Sequence, residues 1–308
     1  MYHVTFRGTH REAGLRRGRF LASHGNFILQ NAPFPVTQAR LQFAQQCVPI
    51  YRRFFPAVLQ EIEGLAEGQG CAPQALQAIL FSMYAMPPAS CCSCFAVSNG
   101  AQVFLARNSD FLLALQHWNG NVIYRLDGRC FHFTGNTTAF VEIEDGVNEH
   151  GLAAGLTSVS PGRIQPGLNA GMLLRLMLET CRTVEQALAL ARRVPIASAQ
   201  TLTLADAGGA IAVLECNSSR LEVVRPAPGR PFVCATNTFH SPCAVLAGQA
   251  WMTGPQSRVI RRCCTPCRRR PAGWTFRGPW PCWPAKKGFF ANTTSVAAAA
   301  LCGPLSTM

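Results

Sequence analysis

Apolar residues recur every three or four positions through the first third of the chain: Leu41, Ala44 and Val48, then Val58, Ile62 and Leu65, then Ala75, Leu76, Ile79 and Leu80. That spacing lays one apolar stripe along an α-helix, so helices are predicted from about residue 36 to 85, punctuated at Pro56 and Pro73. Residues 1–12 read as an edge strand, and Gly14 and Gly18 flank an arginine-rich helical start. At Cys92 the pattern changes to short runs of strand character: CSCFAVS, AQVFLAR, NVIYRL, FHFTG, FVEIE, GLAAGLTSV, QTLTLAD, AIAVLEC, LEVVR and PFVCATN. Asn99-Gly100 supplies a two-residue hairpin turn between the first two. One long helix interrupts the strands, from about 171 to 193, with Thr183-x-x-Gln186 as a capping box partway along. Helices, strands, a helix and strands again make a layered α+β protein with no internal repeat.

Composition narrows this little: 308 residues, 48% apolar and 14% charged, exclude wholesale disorder and allow one large domain or two ordinary ones. No stretch approaches the roughly 20 apolar residues of a membrane span, and the N-terminus lacks a charged-then-apolar signal layout, so a soluble, cytoplasmic protein is expected. The formal charge of +13 is uneven. Residues 1–258 hold 20 basic and all 15 acidic side chains, whereas 259–308 hold 8 basic and none acidic. The fold-sized part is only mildly basic, which argues against a nucleic-acid partner. From 263 onward the composition changes in kind, with three of the five Trp and both Lys within the final fifty residues. Helical and strand periodicity stop there, so 263–308 read as an altered, out-of-frame or disordered tail.

Fifteen cysteines without a signal sequence read as reduced thiols rather than a disulfide framework. Cys92 stands where helical spacing gives way to a strand. Arg107-Asn108-Ser109-Asp110 follows on the return strand, so pleat and turn bring Arg107 and Asp110 back beside it. A guanidinium there favours a thiolate, and a carboxylate can hold a neighbouring ammonium. The competing reading of the cysteines is a zinc module from Cys91-x-x-Cys94 and Cys264-x-x-Cys267, although about 170 residues separate the pairs, far beyond a compact zinc site. His132 and His150 have no partner spacing and receive no role; Trp118 and Trp251 are expected in the core.

These residues resemble a known superfamily. Cys-Ser-Cys-Phe-Ala, a hairpin, and Arg-Asn-x-Asp are similar to the mature start of cysteine N-terminal nucleophile (Ntn) hydrolases: choloylglycine hydrolases, penicillin V acylase, acid ceramidase and isopenicillin N acyltransferase. Gly146-Val147-Asn148-Glu149-His150-Gly151-Leu152, Ala235-Thr236-Asn237 and Ser257-Arg258-Val259-Ile260-Arg261 continue the resemblance in order. Phe6 to Gly14 resembles the propeptide start of the acyltransferase branch, to which the chain is most similar.

The resemblance implies a four-layer αββα sandwich of two antiparallel sheets over 92–262, preceded by a mostly helical prosegment, 1–91. It implies cleavage before Cys92, with the 90/91 bond as the other register beside Cys91, and a Cys92 thiol activated by its own α-amino group. Arg107 would lie beside the thiolate, Asp110 would orient the amine, Asn237 would donate to the oxyanion, and Arg258 would complete the polar site. Thr157 stands where bile-salt hydrolases carry Asn, leaving its backbone N–H as the second oxyanion contact and making bile-salt specificity less expected. The implied reaction is hydrolysis or acyl transfer at a linear N-acyl amide, without cofactor or metal. Its partners would be that small molecule and an acyl acceptor or acyl-coenzyme A, with no nucleic acid or membrane; homo-oligomerisation stays open. The other outcome is an inactive member with a disrupted C-terminus.

Overall fold

The computed structural model describes residues 2–83, 85, 91–112, 118–160, 162–241 and 289–297. Trp251, Arg258, Cys264 and Cys267 lie outside the described residues. Strand β1 (Tyr2–Gly8) leads into helices α1 (His10–Ser23), α2 (Ile28–Asn31), α3 (Gln38–Phe54), α4 (Pro56–Gln69) and α5 (Pro73–Met83). Their ends follow local chemistry. Thr9 and Glu12 form a reciprocal capping box on α1. Pro56 and Pro73 open α4 and α5 at the position where a missing N–H costs nothing.

Helices α1 and α4 cross on glycine. A Cβ at Gly14 would fall on the Glu61 carbonyl oxygen and one at Gly64 on that of Arg11, while Gly18 and Gly68 meet in the same way one turn on. The close approach lets α4 present Glu61, 1% exposed, to the interior. There Glu61 Oε1 accepts from the Tyr124 hydroxyl at 2.9 Å and its carboxylate binds Arg175.

The remainder is β2 (Cys91–Ser98), β3 (Val103–Leu112), β4 (Gly120–Leu126), β5 (Phe133–Thr137), β6 (Asp145–Asn148), β7 (Ala153–Ser158), α6 (Ala170–Thr180), α7 (Val184–Ala191), β8 (Gln200–Ala205), β9 (Ile211–Cys216), β10 (Leu221–Val224), β11 (Phe232–Ala235) and β12 (Phe289–Ala297). Eight strands form a sheet in the order β1-β4-β5-β6-β7-β8-β9-β10, and four form a second in the order β11-β2-β3-β12. The sheets face each other, with Cys94, Ala96 and Leu105 packed among Ala153, Ala205 and Val213. Helix α6 packs on the large sheet at β6, β7 and β8. The molecule is thus the expected α+β assembly of two sheets and helices. Residues 2–83 share the main core with the strands: Phe6, Leu65 and Phe81 belong to one cluster with Tyr124, Leu156 and Met177.

Several expectations change. The sheets are antiparallel except that β1 pairs in parallel with β4 at the edge. Within 263–308, read as an altered, out-of-frame or disordered tail, residues 289–297 form β12 and pair with β3, Phe289 opposite Leu112. The hairpin between β2 and β3 is a four-residue loop, 99–102, since Ser98 pairs with Val103 and the Asn99 side chain caps the Ala101 and Gln102 N–H groups. The long helix is two, because Cys181 leaves the helix in extended conformation and Thr183 caps α7 through the Gln186 N–H.

FVEIE is not a strand. Phe140 has φ +60°, and the Glu142 N–H closes a turn on the Ala139 carbonyl, so the run is a buried turn before β6. Every residue of the run is buried, and strand alternation is a poor guide where both faces are buried. Glu142 itself is fully buried, with no cation paired to it in the ion pairs among the described residues. Burial pushes its carboxyl well above the ordinary range, opposed by the Asn169 side chain and reinforced by Glu144.

Two outcomes follow for stability. Gly64→Val should lower urea-unfolding stability by about 1–3 kcal/mol or more, since the helix crossing has no room for a side chain. Glu142→Gln should stabilise the protein. A carboxyl whose folded pKa is raised contributes most at low pH and loses stability as pH rises, so the Tm gain of the Gln variant should be small near pH 4 and largest at pH 8. A gain that shrinks with rising pH would contradict the buried neutral carboxyl.

Candidate active site

Strand β2 begins at the seam between the two sheets and carries Cys92 there, 7% exposed. Pairing with β3 sets Asp110 opposite Cys91, Ser109 opposite Cys92 and Arg107 opposite Cys94. On its other side β2 pairs with β11, Ala235 opposite Cys94, so the chain leaving β11 delivers Asn237 beside Cys92. Gly155 in β7 makes room beneath: a Cβ there would lie 2.7 Å from the Cys94 sulfur and 3.5 Å from Arg107 Cδ. The missing side chain is what lets the small sheet settle on the large one at this point.

Four of the proposed groups meet. Arg107 Nη2 lies 3.5 Å from the Cys92 sulfur. The Cys92 backbone N–H donates to Asn237 Oδ1 at 2.5 Å, and the Asn237 amide donates to the Ser158 carbonyl at 2.6 Å. Asp110 is half-buried and accepts from the Asn108 side chain at 2.8 Å. Thr157 enters one step back. Its hydroxyl bonds Thr201 Oγ1 at 2.5 Å and donates to the Thr236 carbonyl at 2.6 Å, fixing the chain immediately before Asn237. Arg258 lies outside the described residues.

The electrostatics turn on Arg107. Its Nε donates to the Leu156 carbonyl at 2.7 Å, and Nη1 donates to Glu144 Oε2 at 3.1 Å and to Asp145 Oδ2 at 3.2 Å, all three residues being buried. Burial pushes the Cys92 thiol above its ordinary value; Arg107 opposes this, Glu144 reinforces it, and the Asp110 backbone N–H opposes it. A raised thiol pKa disfavours the thiolate, the nucleophilic form. Burial raises the Asp110 carboxyl as well, against the hydrogen bond from Asn108 and the charge of Arg107.

Glu144 and Asp145 are the site residues that the sequence pattern hid. Read as the end of a strand, Glu144 would have faced solvent. The usable signal was the pair of adjacent acids in a run otherwise fit for burial, since buried carboxylates need a cation. Cys94 is committed to the layer between the sheets, 1% exposed, and burial drives its thiol to about 12. That placement offers nothing to a zinc module with Cys264 and Cys267, which lie outside the described residues. No helix among the described residues is long and apolar enough to cross a membrane.

Comparison with known proteins adds identity. Penicillin V acylase from Agrobacterium tumefaciens is similar over 43% of this chain and 49% of that one, at 21% identity and a TM-score of 0.31. A variant of the conjugated bile acid hydrolase from Clostridium perfringens is similar over 46% of this chain and 52% of its own, at 16% identity and a TM-score of 0.37. The chain thus spans about half the length of these solved structures. No curated protein matches the sequence. The family model for acyl-coenzyme A:6-aminopenicillanic acid acyl-transferase matches residues 97–254, a span that begins within β2 after Cys92 and contains Arg107, Asp110, Thr157 and Asn237. With just over half of its length accounted for in this way, the chain belongs to the acyl-coenzyme A:6-aminopenicillanic acid acyl-transferase family.

Proposed function

We propose that the protein is an amide hydrolase or N-acyltransferase that acts on a linear N-acyl substrate through a thioester on Cys92, after cleavage of the chain before that residue. One observation carries the reading: the Cys92 sulfur, the nitrogen that cleavage would turn into its α-amine, the Arg107 guanidinium and the Asn237 amide all meet where β2 begins between the sheets. Family membership supports the same chemistry.

Cleavage would replace a peptide N–H, which cannot accept a proton, by an amine of ordinary pKa near 8. The thiol proton passes to that amine, and the thiolate attacks the substrate carbonyl carbon. Arg107 favours the thiolate during this step. The carbonyl π electrons move to oxygen, and the Asn237 amide, turned from the Ser158 carbonyl, donates to that oxyanion. The C–N bond breaks as the α-ammonium returns its proton to the leaving amine. Water or an acceptor amine then attacks the thioester, freeing the acid or a new amide and restoring the thiol. Asp110, beside the strand start, holds the ammonium. Processing would use the same thiol against the Cys91 carbonyl. No step calls for a metal or cofactor.

The names of the similar proteins supply the first substrates to try: penicillin V and a conjugated bile acid for hydrolysis, and 6-aminopenicillanic acid with an acyl-coenzyme A for transfer. Turnover of one of these should vanish in Cys92→Ala and fall about 100- to 1,000-fold in Asn237→Ala. Turnover that survives in Cys92→Ala would remove the proposal. A second measurement follows Cys92 alkylation by iodoacetamide with pH, read by peptide mapping. Arg107→Gln should move the rise in rate to higher pH, because the guanidinium favours the thiolate. An unmoved or lowered midpoint would mean that Arg107 does not act on the sulfur.

A further inference from the structure

Outside the contacts of Cys92, His10, Cys130 and Glu179 converge where the start of α1, the turn after β4 and the last turn of α6 meet. One ligand atom from each, a ring nitrogen, the sulfur and a carboxylate oxygen, lies within 4.8 Å of the other two. His10 Nε2 and Glu179 Oε2 stand 3.1 Å apart, with His10 7% and Glu179 2% exposed. Cys130 is half-buried, and among the described residues its sulfur makes long contacts, 3.9 Å to the Leu126 carbonyl and 3.7 Å to that of Asp127.

Around a tetrahedral zinc ion, with bonds of roughly 2.0–2.1 Å to nitrogen or oxygen and 2.3 Å to sulfur, ligand atoms stand about 3.3–3.6 Å from one another. The His10–Glu179 pair is already near that separation. The sulfur need approach by little more than an ångström, giving up only weak contacts. Imidazole, thiolate and one carboxylate together are a donor set for zinc-class ions rather than for magnesium or calcium, which take oxygen. The carboxylate is also held from behind: Arg175 Nε donates to Glu179 Oε1 at 2.8 Å, leaving Oε2 for the site, and Arg175 is itself paired with Glu61.

We propose that His10, Cys130 and Glu179 form a binding site for one zinc-class divalent cation, completed by water. On binding, the Cys130 thiol releases its proton to solvent, and the ion takes the place between His10 and Glu179 that their hydrogen bond now fills. Burial and the Glu179 carboxylate hold that thiol at about 11 in the free protein, and a dication against the sulfur reverses the balance. His10 belongs to the N-terminal segment, whereas Cys130 and Glu179 lie beyond residue 92. Given the cleavage proposed above, the ion would fasten the two pieces together.

Cobalt(II) chloride alone is the probe, added to the reduced full-length protein. One equivalent should bind and produce both thiolate-to-metal absorption in the near ultraviolet and visible bands of tetrahedral strength, all abolished by excess zinc chloride. Cys130→Ser should lose the ultraviolet band, and His10→Gln should bind cobalt at least about tenfold more weakly. Circular dichroism checks that each variant is folded. If His10→Gln does not fold, Cys130→Ser decides alone, since its side chain is partly exposed. Absence of the bands in the wild type, or their persistence in Cys130→Ser through another of the fifteen cysteines, would overturn the site.

Discussion

One buried guanidinium organises the region around Cys92. Arg107 leaves the small sheet, crosses to the large one and there meets Glu144, Asp145 and the Leu156 carbonyl, with the Cys92 sulfur at its remaining edge. A cation in this interior is tolerable only when fully paired, and two buried carboxylates are tolerable only with the cation; removing either side would leave a charge uncompensated at about 3–5 kcal/mol. The same contacts fix where the sheets sit. Gly155 has no side chain because Cys94 and Arg107 occupy that space. Position, charge and packing at the seam are therefore one constraint, and the thiol inherits its surroundings from it.

A second buried network does comparable work for the N-terminal segment. Glu61 of α4 pairs with Arg175 of α6, Arg175 with Glu179, and Glu179 with His10 at the start of α1. Burial by itself would raise the Glu179 carboxyl, yet Arg175 and His10 outweigh it and hold the group below its ordinary value. Together with β1 in the large sheet and the glycine crossing of α1 on α4, this makes residues 2–83 part of the common core rather than an appended unit. These contacts do not depend on the peptide bond at the start of β2.

How much of this the sequence disclosed depended on whether a feature was local. Cys92, Arg107 and Asp110 were legible because a strand, a short turn and a return strand fix their proximity within nineteen positions. Pro56, Pro73 and the Thr183 cap marked helix boundaries for the same reason, although the cap was read as lying inside one helix rather than starting another. Asn237 was reached only through the family resemblance; no local pattern places the end of β11 against the start of β2. Glu144 was hidden by a period-two pattern over a run that forms a turn, and Asp145 opens β6 directly after it. The glycines of α1 were noticed, but their purpose needed α4 alongside. The parallel pairing of β1 with β4 and strand β12 are likewise products of long-range closure, about which short windows of sequence say little.

The central claim is that Cys92 becomes the N-terminal residue and the nucleophile of its own maturation. Intact mass and N-terminal sequencing of freshly purified wild type and Cys92→Ala, under denaturing and reducing conditions, test it most directly. The account predicts two wild-type polypeptides meeting at the 91/92 bond, the second beginning with Cys92, and a single uncut chain for the variant. An uncut wild-type chain that nevertheless turns over an amide, or a variant cut at the same bond, would contradict it.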